Sequence, residues 1–241
     1  MSAFSTRETD GILPKACELQ KPESIFMANG GKLKRSGTAK GFGGALNFAG
    51  INTLVLIRHA ETALAGRFCG RLDPDLNAAG EAQLSLIVEQ LASLQIERIC
   101  CSDLLRASRT AAAISQRIRV LAECRSGLQE MDFGLWEGMT WTEIEDRFPW
   151  EAERWLRHPS SRSAPGGEHY EDFVARVEEE LTTLVCQSPH RTIALVTHLG
   201  VIQCILTRFF NVIKADAWRL SSRYGAVIVA RRVHGEWQVS T

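Results

Sequence analysis

Short, unbroken apolar runs alternate along most of this chain with segments whose apolar residues recur every three to four positions. That alternation restricts the fold more than any other feature. The run Leu54-Val55-Leu56-Ile57 is half β-branched and too short for a helix of its own. It suits a strand covered on both faces, as in a parallel sheet. The segments "IERICC" (96–101), "RVLAE" (119–123) and "TIALVT" (192–197) read as further strands. Between them lie helical patterns. In "NAAGEAQLSLIVEQLAS" (77–93), Asn77 is placed to cap the N-terminus, and Leu84, Ile87, Val88 and Leu91 share a face. "SDLLRASRTAAAISQRI" (102–118) has a stripe of Leu104, Ala107, Ala111, Ile114 and Ile118, with Ser102 read as its N-cap. Thr140 and Glu143 have the spacing of a capping box. A long helix is expected within residues 167–186, with Phe173, Val177, Leu181 and Leu184 inward, and another from about Gly200 to Phe210. The last segment (225–240) reads as a hairpin turning at His234-Gly235. Strands alternating with helices imply an α/β fold, a mainly parallel sheet with helical layers on both faces.

Residues 1–50 lack this periodicity and are rich in Gly and Lys towards their end, so they are expected to be a flexible N-terminal extension to a domain spanning 51–241. Across the 241 residues, Lys plus Arg and Asp plus Glu both number 28. This balance gives no reason to expect a nucleic-acid partner or an electrostatic membrane clamp. No apolar stretch is long enough to span a bilayer. The seven cysteines include no CxxC pair and no secretory signal precedes them, so a cytoplasmic setting, no zinc cluster and mostly buried thiols are expected.

Chemistry concentrates where strands end. Ligands of open α/β sheets bind beyond the carboxyl ends of the strands. The first strand ends in Arg58-His59-Ala60-Glu61 and the last parallel one in Thr197-His198, while "IERICC" leads towards Arg106. Glu130 lies in a loop with Gly134 and Gly138. An isolated Arg-His pair is as well explained by a strand exit facing water. Two histidines, two arginines and a carboxylate together form a chemical set. Arginine forks suit phosphate oxygens, neutral histidine is a nucleophile, and a carboxyl of raised pKa protonates a leaving oxygen. No acidic cluster is placed to hold a metal, so no metal or other cofactor is expected.

The motif "LIRHAET" resembles the R-H-G-E signature of the histidine phosphatase superfamily, the phosphoglycerate mutase-like proteins. The resemblance continues in order through "FCGRLDPDLNAAG", "CSDLLRASRTA", "LQEMDFGLWEGMTW", "PGGE" and "LVTHLGVI". It implies a phosphoglycerate mutase-like α/β/α sandwich. The implied activity is hydrolysis of a small-molecule phosphomonoester through a phosphohistidine on His59. It further implies that Arg58, Arg106 and His198 hold the phosphoryl group, and that Glu130 donates the proton. Ala60 stands where the motif has glycine, and Ala65 where many members have asparagine. Backbone amides around Cys69 and Gly70 are expected to replace that lost donor. Glu61 is expected to brace the site, and His158, His169, His190 and His234 to lie at the surface.

Within the superfamily, "CGRLDPDLNAAG" and "MDFGLWEGMTW" are most similar to alpha-ribazole phosphatase, which acts late in cobalamin biosynthesis. Phe133, Trp136, Trp141, Trp150 and Trp155 stand near the expected cleft, either to stack on a flat group or as core. A broad-specificity phosphatase, a phosphoglycerate mutase and a phospholigand-binding module with a dead site are the alternatives. A mutase calls for a large insertion after Glu130, and a dead module for loss of His59, His198 or Arg58; neither is found. The oligomeric state is open.

Overall fold

The computed structural model describes residues 50–158, 163–186 and 191–241. The expected N-terminal extension lies outside the described residues apart from Gly50. Strands β1 (Thr53–Arg58), β2 (Arg98–Cys101), β3 (Ala122–Cys124), β4 (Thr192–Thr197), β5 (Val227–Val233) and β6 (Glu236–Ser240) form one sheet in the order β3-β2-β4-β1-β5-β6. The first four are mutually parallel, and β5 and β6 close the far side as an antiparallel hairpin.

All six residues of β1 are buried, as its apolar run demands. Successive side chains of a strand point to opposite faces. Leu54 and Leu56 therefore enter one apolar cluster and Val55 and Ile57 the other. The second cluster lies under helices α1 (Ala78–Leu91) and α2 (Leu105–Ile118). The first, larger one takes in α3 (Trp141–Arg147), α4 (Pro149–Arg157), α5 (Tyr170–Cys186), α6 (Leu199–Phe209) and α7 (Lys214–Ser221). The result is the three-layer α/β/α arrangement. Each fully buried Leu, Ile or Val contributes ~1.5–3 kcal/mol of burial free energy.

Local signals act as expected at several points. The Asn77 side chain accepts from the Gly80 amide at 2.8 Å, and Thr140 and Glu143 form a reciprocal capping box. The hairpin turns at His234-Gly235. The reading of Ser102 as an N-cap is corrected. Helix α2 begins at Leu105, its cap position is Leu104, and Ser102 instead bonds His198. The aromatic segment resolves largely into core. Phe68 meets Phe133 and Trp136 edge-on at 5.0 and 5.9 Å, Trp136 and Trp155 lie 5.1 Å apart, and Trp141 joins them. Such edge-to-face contacts suit the ring quadrupole. Trp150 alone of the tryptophans in this segment is exposed.

The first turn of α1 sits hard against the chain just after His59. A Cβ on Gly80 would lie 2.0 Å from the Glu61 carbonyl oxygen, a backbone atom with no room to yield. Gly80→Ala is therefore expected to lower stability by ~1–3 kcal/mol, as overpacking of a close contact does. Urea unfolding followed by circular dichroism measures this, and an unchanged midpoint would show that α1 does not seat on residue 61 in this way.

Candidate active site

Register brings the strand ends level. Arg58 pairs with Thr197 and Cys101 with Val196. The His59 amide donates to the Thr197 carbonyl at 2.9 Å, and the Ser102 amide donates to the Val196 carbonyl at 2.9 Å. Three parallel strands thus deliver Arg58-His59, His198 and Ser102 to one edge. Strand β5 runs the other way, so its beginning lies at the same edge. The Arg58 amide donates to the Ala226 carbonyl at 2.9 Å, which leaves Tyr224 beside His59, with ring centres 5.6 Å apart. Glu130 arrives on the loop after β3. The Thr197 hydroxyl donates to the Leu128 carbonyl at 2.7 Å. Arg176 holds the carbonyls of Gly127 and Gln129 at 2.9 and 3.0 Å while pairing with Glu168. The resulting cleft is lined by Arg58, His59, Cys69, Glu130, Phe133 and Tyr224 among others.

Both histidines have assignable tautomers. His59 Nδ1 lies 2.7 Å from the Ala60 carbonyl, which can only accept, so Nδ1 carries the proton and Nε2 the lone pair. Arg106 Nε donates to His198 Nδ1 at 3.2 Å, so that nitrogen is bare, and His198 Nε2–H faces the Ser102 hydroxyl at 2.8 Å. The two rings stand 5.1 Å apart. Burial, followed by the nearby arginine charges, holds both imidazoles well below their ordinary value of 6.5. Ala60 has a negative φ, and its amide donates to the Thr110 hydroxyl at 3.1 Å, so a methyl group is accommodated where the motif has glycine.

The arginines are placed differently. Arg58 reaches the Ser222 carbonyl, and its guanidinium lies 4.0 Å from the centre of the Tyr224 ring, a cation–π contact. Arg106 is 1% exposed. Besides His198, it donates to the carbonyls of Leu72, Cys69 and Gly70 at 2.7, 3.2 and 2.8 Å. The loop between Cys69 and Leu72 turns its amides the other way. The Glu137 carboxylate accepts from Gly70, Arg71, Leu72 and Phe133. The expectation of a free Gly70 amide is therefore corrected, because a carboxylate, a stronger acceptor than any neutral group nearby, already holds it. Cys69 lines the cleft, but its carbonyl, like that of Gly70, belongs to Arg106.

Glu130 is buried. Its carboxyl accepts from the amides of Met131 and Gly200 at 3.0 and 2.9 Å, bonds that favour the anion. Desolvation outweighs them and the arginine charges, and pushes the carboxyl above its ordinary value of 4.5. The close approach depends on Gly200, where a Cβ would come within 2.4 Å of the carboxylate. Among the described residues no group of three His, Cys, Asp or Glu side chains is gathered to hold a metal ion, and no helix is long and apolar enough to cross a membrane.

The family model of the histidine phosphatase superfamily (branch 1) matches residues 54–241. The chain belongs to the histidine phosphatase superfamily. It is 30% identical over 169 residues to phosphoserine phosphatase 1 of Hydrogenobacter thermophilus, covering 68% of this chain and 79% of that one. Over 156 residues, 64% of this chain, it is 33% identical to a bifunctional protein of Mycobacterium tuberculosis, but it covers only 43% of that protein's length. Among solved structures, mycobacterial glucosyl-3-phosphoglycerate phosphatase superposes with a TM-score of 0.67 at 26% identity, covering 79% of this chain and 97% of that one. An alpha-ribazole phosphatase from Shigella flexneri gives 0.70 at 23% identity, covering 78% and 95%; that likeness establishes the fold. With phosphatases among its relatives, the superfamily phosphatase is a hydrolase of phosphate esters.

Sequence reasoning missed Tyr224, Glu137 and Ser102. Nothing in "SSRYGAV" marks Tyr224, because its place depends on the antiparallel entry of β5. The Glu61 carboxylate accepts from the Asn77 side chain at 2.8 Å, which ties the chain after His59 to the cap of α1. His158, His169 and His234 are exposed, and His190 lies outside the described residues.

Since burial and positive neighbours disfavour the imidazolium, both His59 and His198 stay neutral as pH falls through 6.5. An NMR titration of the ring nitrogens should place both midpoints below 6.5, with Nδ1 protonated in His59 and Nε2 protonated in His198. A midpoint at or above that value, or the opposite tautomers, would contradict this electrostatic account.

Proposed function

We propose that this chain is a metal-independent phosphomonoesterase that forms a phosphohistidine on His59. The observation that carries this reading is the tautomer of His59. The Ala60 carbonyl holds Nδ1–H, so a neutral imidazole presents the Nε2 lone pair in a cleft shared with Arg58 and Glu130. In the first step Nε2 attacks phosphorus and the ester P–O bond breaks. Protonated Glu130 gives its proton to the departing oxygen. In the second, the Glu130 carboxylate takes a proton from water as the water attacks phosphorus and the P–N bond breaks, releasing inorganic phosphate. The shifts of His59 and Glu130, one down and one up, both favour the starting forms this needs. Arg58 and Arg106 offset charge on the phosphoryl oxygens. Arg106 acts mainly through its field beside both histidines, since its donors are held by His198 and the loop carbonyls.

His59→Ala is expected to abolish turnover, and labelled substrate quenched in base should leave label on wild-type enzyme and none on the variant. EDTA should leave the rate unchanged. Glu130→Gln should harm alkyl phosphates far more than aryl phosphates of acidic phenols, with the gap a large part of the ~10²–10⁴-fold that general acid catalysis supplies. Equal losses on both substrate types would remove Glu130 from the acid role.

For the substrate we carry forward alpha-ribazole 5′-phosphate, on the likeness of "CGRLDPDLNAAG" and "MDFGLWEGMTW" to that enzyme. The tryptophans of that region are core or remote and do not stack on its flat ring, which leaves Phe68, Phe133 and Tyr224 as the aromatic side chains lining the cleft. All phosphomonoesters offer Arg58 and His59 the same group, so selectivity rests on such contacts to the remainder of the molecule. An aromatic contact adds ~0.5–1.5 kcal/mol beyond burial, so kcat/KM should exceed that for phosphoserine and 3-phosphoglycerate by roughly tenfold. If either carboxylated ester is turned over faster, the cobalamin assignment falls and the phosphatase reading stands.

A further inference from the structure

The thiols of Cys101 and Cys124 meet on neighbouring strands just behind the site. The two residues are register partners on parallel strands β2 and β3, and their sulfurs lie 3.7 Å apart. Directly paired strands run ~4.8 Å apart, within the range of Cα separations that a disulfide spans. Closing the 3.7 Å gap to a bond of ~2.05 Å asks for side-chain rotation together with a small shift of the ends of β2 and β3. The two thiols differ in access. Cys101 is 1% exposed and belongs to the apolar cluster under α1 and α2, whereas Cys124 is exposed on β3, the edge strand of the sheet. A reagent from solution meets Cys124 first, with Cys101 waiting beside it as the resolving thiol.

The position of Cys101 in the chain ties the pair to the site. The next residue is Ser102, whose hydroxyl lies 2.8 Å from His198 Nε2 and accepts from the Leu104 amide, at the start of the turn that carries Arg106. The Cys101 carbonyl also takes the Arg125 amide at 2.8 Å, so both strands are tied at this level. A covalent bond at Cys101 pulls on the link between β2 and the His198–Arg106 pair.

We propose that Cys101 and Cys124 form a reversible disulfide that slows the phosphatase when a low-molecular-weight disulfide such as oxidised glutathione is present. The Cys124 thiolate attacks one sulfur of the reagent, whose S–S bond breaks and releases one glutathione, which takes up the proton. Cys101, giving up its own proton, then attacks the Cys124 sulfur of the mixed disulfide and releases the second glutathione. Two protein thiols are oxidised to one disulfide while one oxidised glutathione is reduced to two thiols. Formation of the bond is independent of the proposed activity; the slowing rests on it.

The test uses the full chain, reduced with dithiothreitol and shown active on an aryl phosphate, then incubated with oxidised glutathione, alkylated and mapped by mass spectrometry. A linked Cys101–Cys124 peptide is expected. With it kcat should fall by about tenfold, since displacing a catalytic group by ~1 Å costs up to ~10²-fold, and dithiothreitol should restore the rate. Cys124→Ser, an exposed change outside the cleft, should match the reduced wild type and ignore the oxidant. Absence of the linked peptide, or glutathione retained on Cys124 alone, would overturn the disulfide. A linked peptide with unchanged kcat would overturn the control it is said to exert. Inhibition persisting in Cys124→Ser would assign the effect to another thiol, such as Cys69 in the cleft, and would equally defeat the proposal. A reduced enzyme with no activity on any phosphomonoester would sink the phosphatase reading while leaving the bond to be judged by its peptide.

Discussion

The buried guanidinium of Arg106 is the constraint around which this structure is organised. A cation removed from water is tolerated only when its donors are satisfied. Here that is done by the carbonyls of Cys69, Gly70 and Leu72 and by His198 Nδ1. The satisfaction is two-sided. The peptide groups of the loop are oriented, carbonyls towards Arg106 and amides towards Glu137, so a carboxylate and a guanidinium interact through the dipoles between them. Helix α2, the loop after residue 68 and the end of β4 become one electrostatic unit, although they are distant in sequence.

The same burial explains why the two histidines and Glu130 move in opposite directions. Low polarisability disfavours whichever form of a group is charged: the imidazolium for His59 and His198, the carboxylate for Glu130. For the histidines the arginine charges reinforce that preference. For Glu130 they oppose it, as do the amides of Met131 and Gly200, and desolvation still prevails. A single physical cause thereby shifts the imidazoles and the neighbouring carboxyl alike towards their neutral forms.

Much of the local architecture was legible because its causes are local. Asn77 caps α1 through its own side chain, Thr140 and Glu143 close their box within one turn, and the six buried residues of β1 announce a strand covered on both faces. His59, His198 and Arg58 stand out at strand ends, Arg106 at the start of a helix and Glu130 in a loop, and the fold brings them together. Ser102 misled for an equally local reason. A serine between a strand and a helix has the chemistry of an N-cap, and nothing within the segment shows that His198, 96 positions away, faces its hydroxyl. Gly70 misled in the same way, since its amide is directed by Glu137, 67 positions on. Trp136, Trp141 and Trp155 suit rim or core equally well by composition, and packing against Phe68 and Phe133 placed them inside.

By itself, the sequence determined the periods of the elements, the parallel character of the sheet and the kinds of group at the strand ends, because side-chain pattern and residue chemistry act over a few positions. Only the tertiary structure decided the strand order, the antiparallel arrival of Tyr224 beside Arg58, the tautomers of the two histidines and the carbonyl cradle of Arg106. Each of these depends on which polar group stands opposite which across the fold. That is settled by long-range packing and desolvation, neither of which is written in any short stretch of the chain.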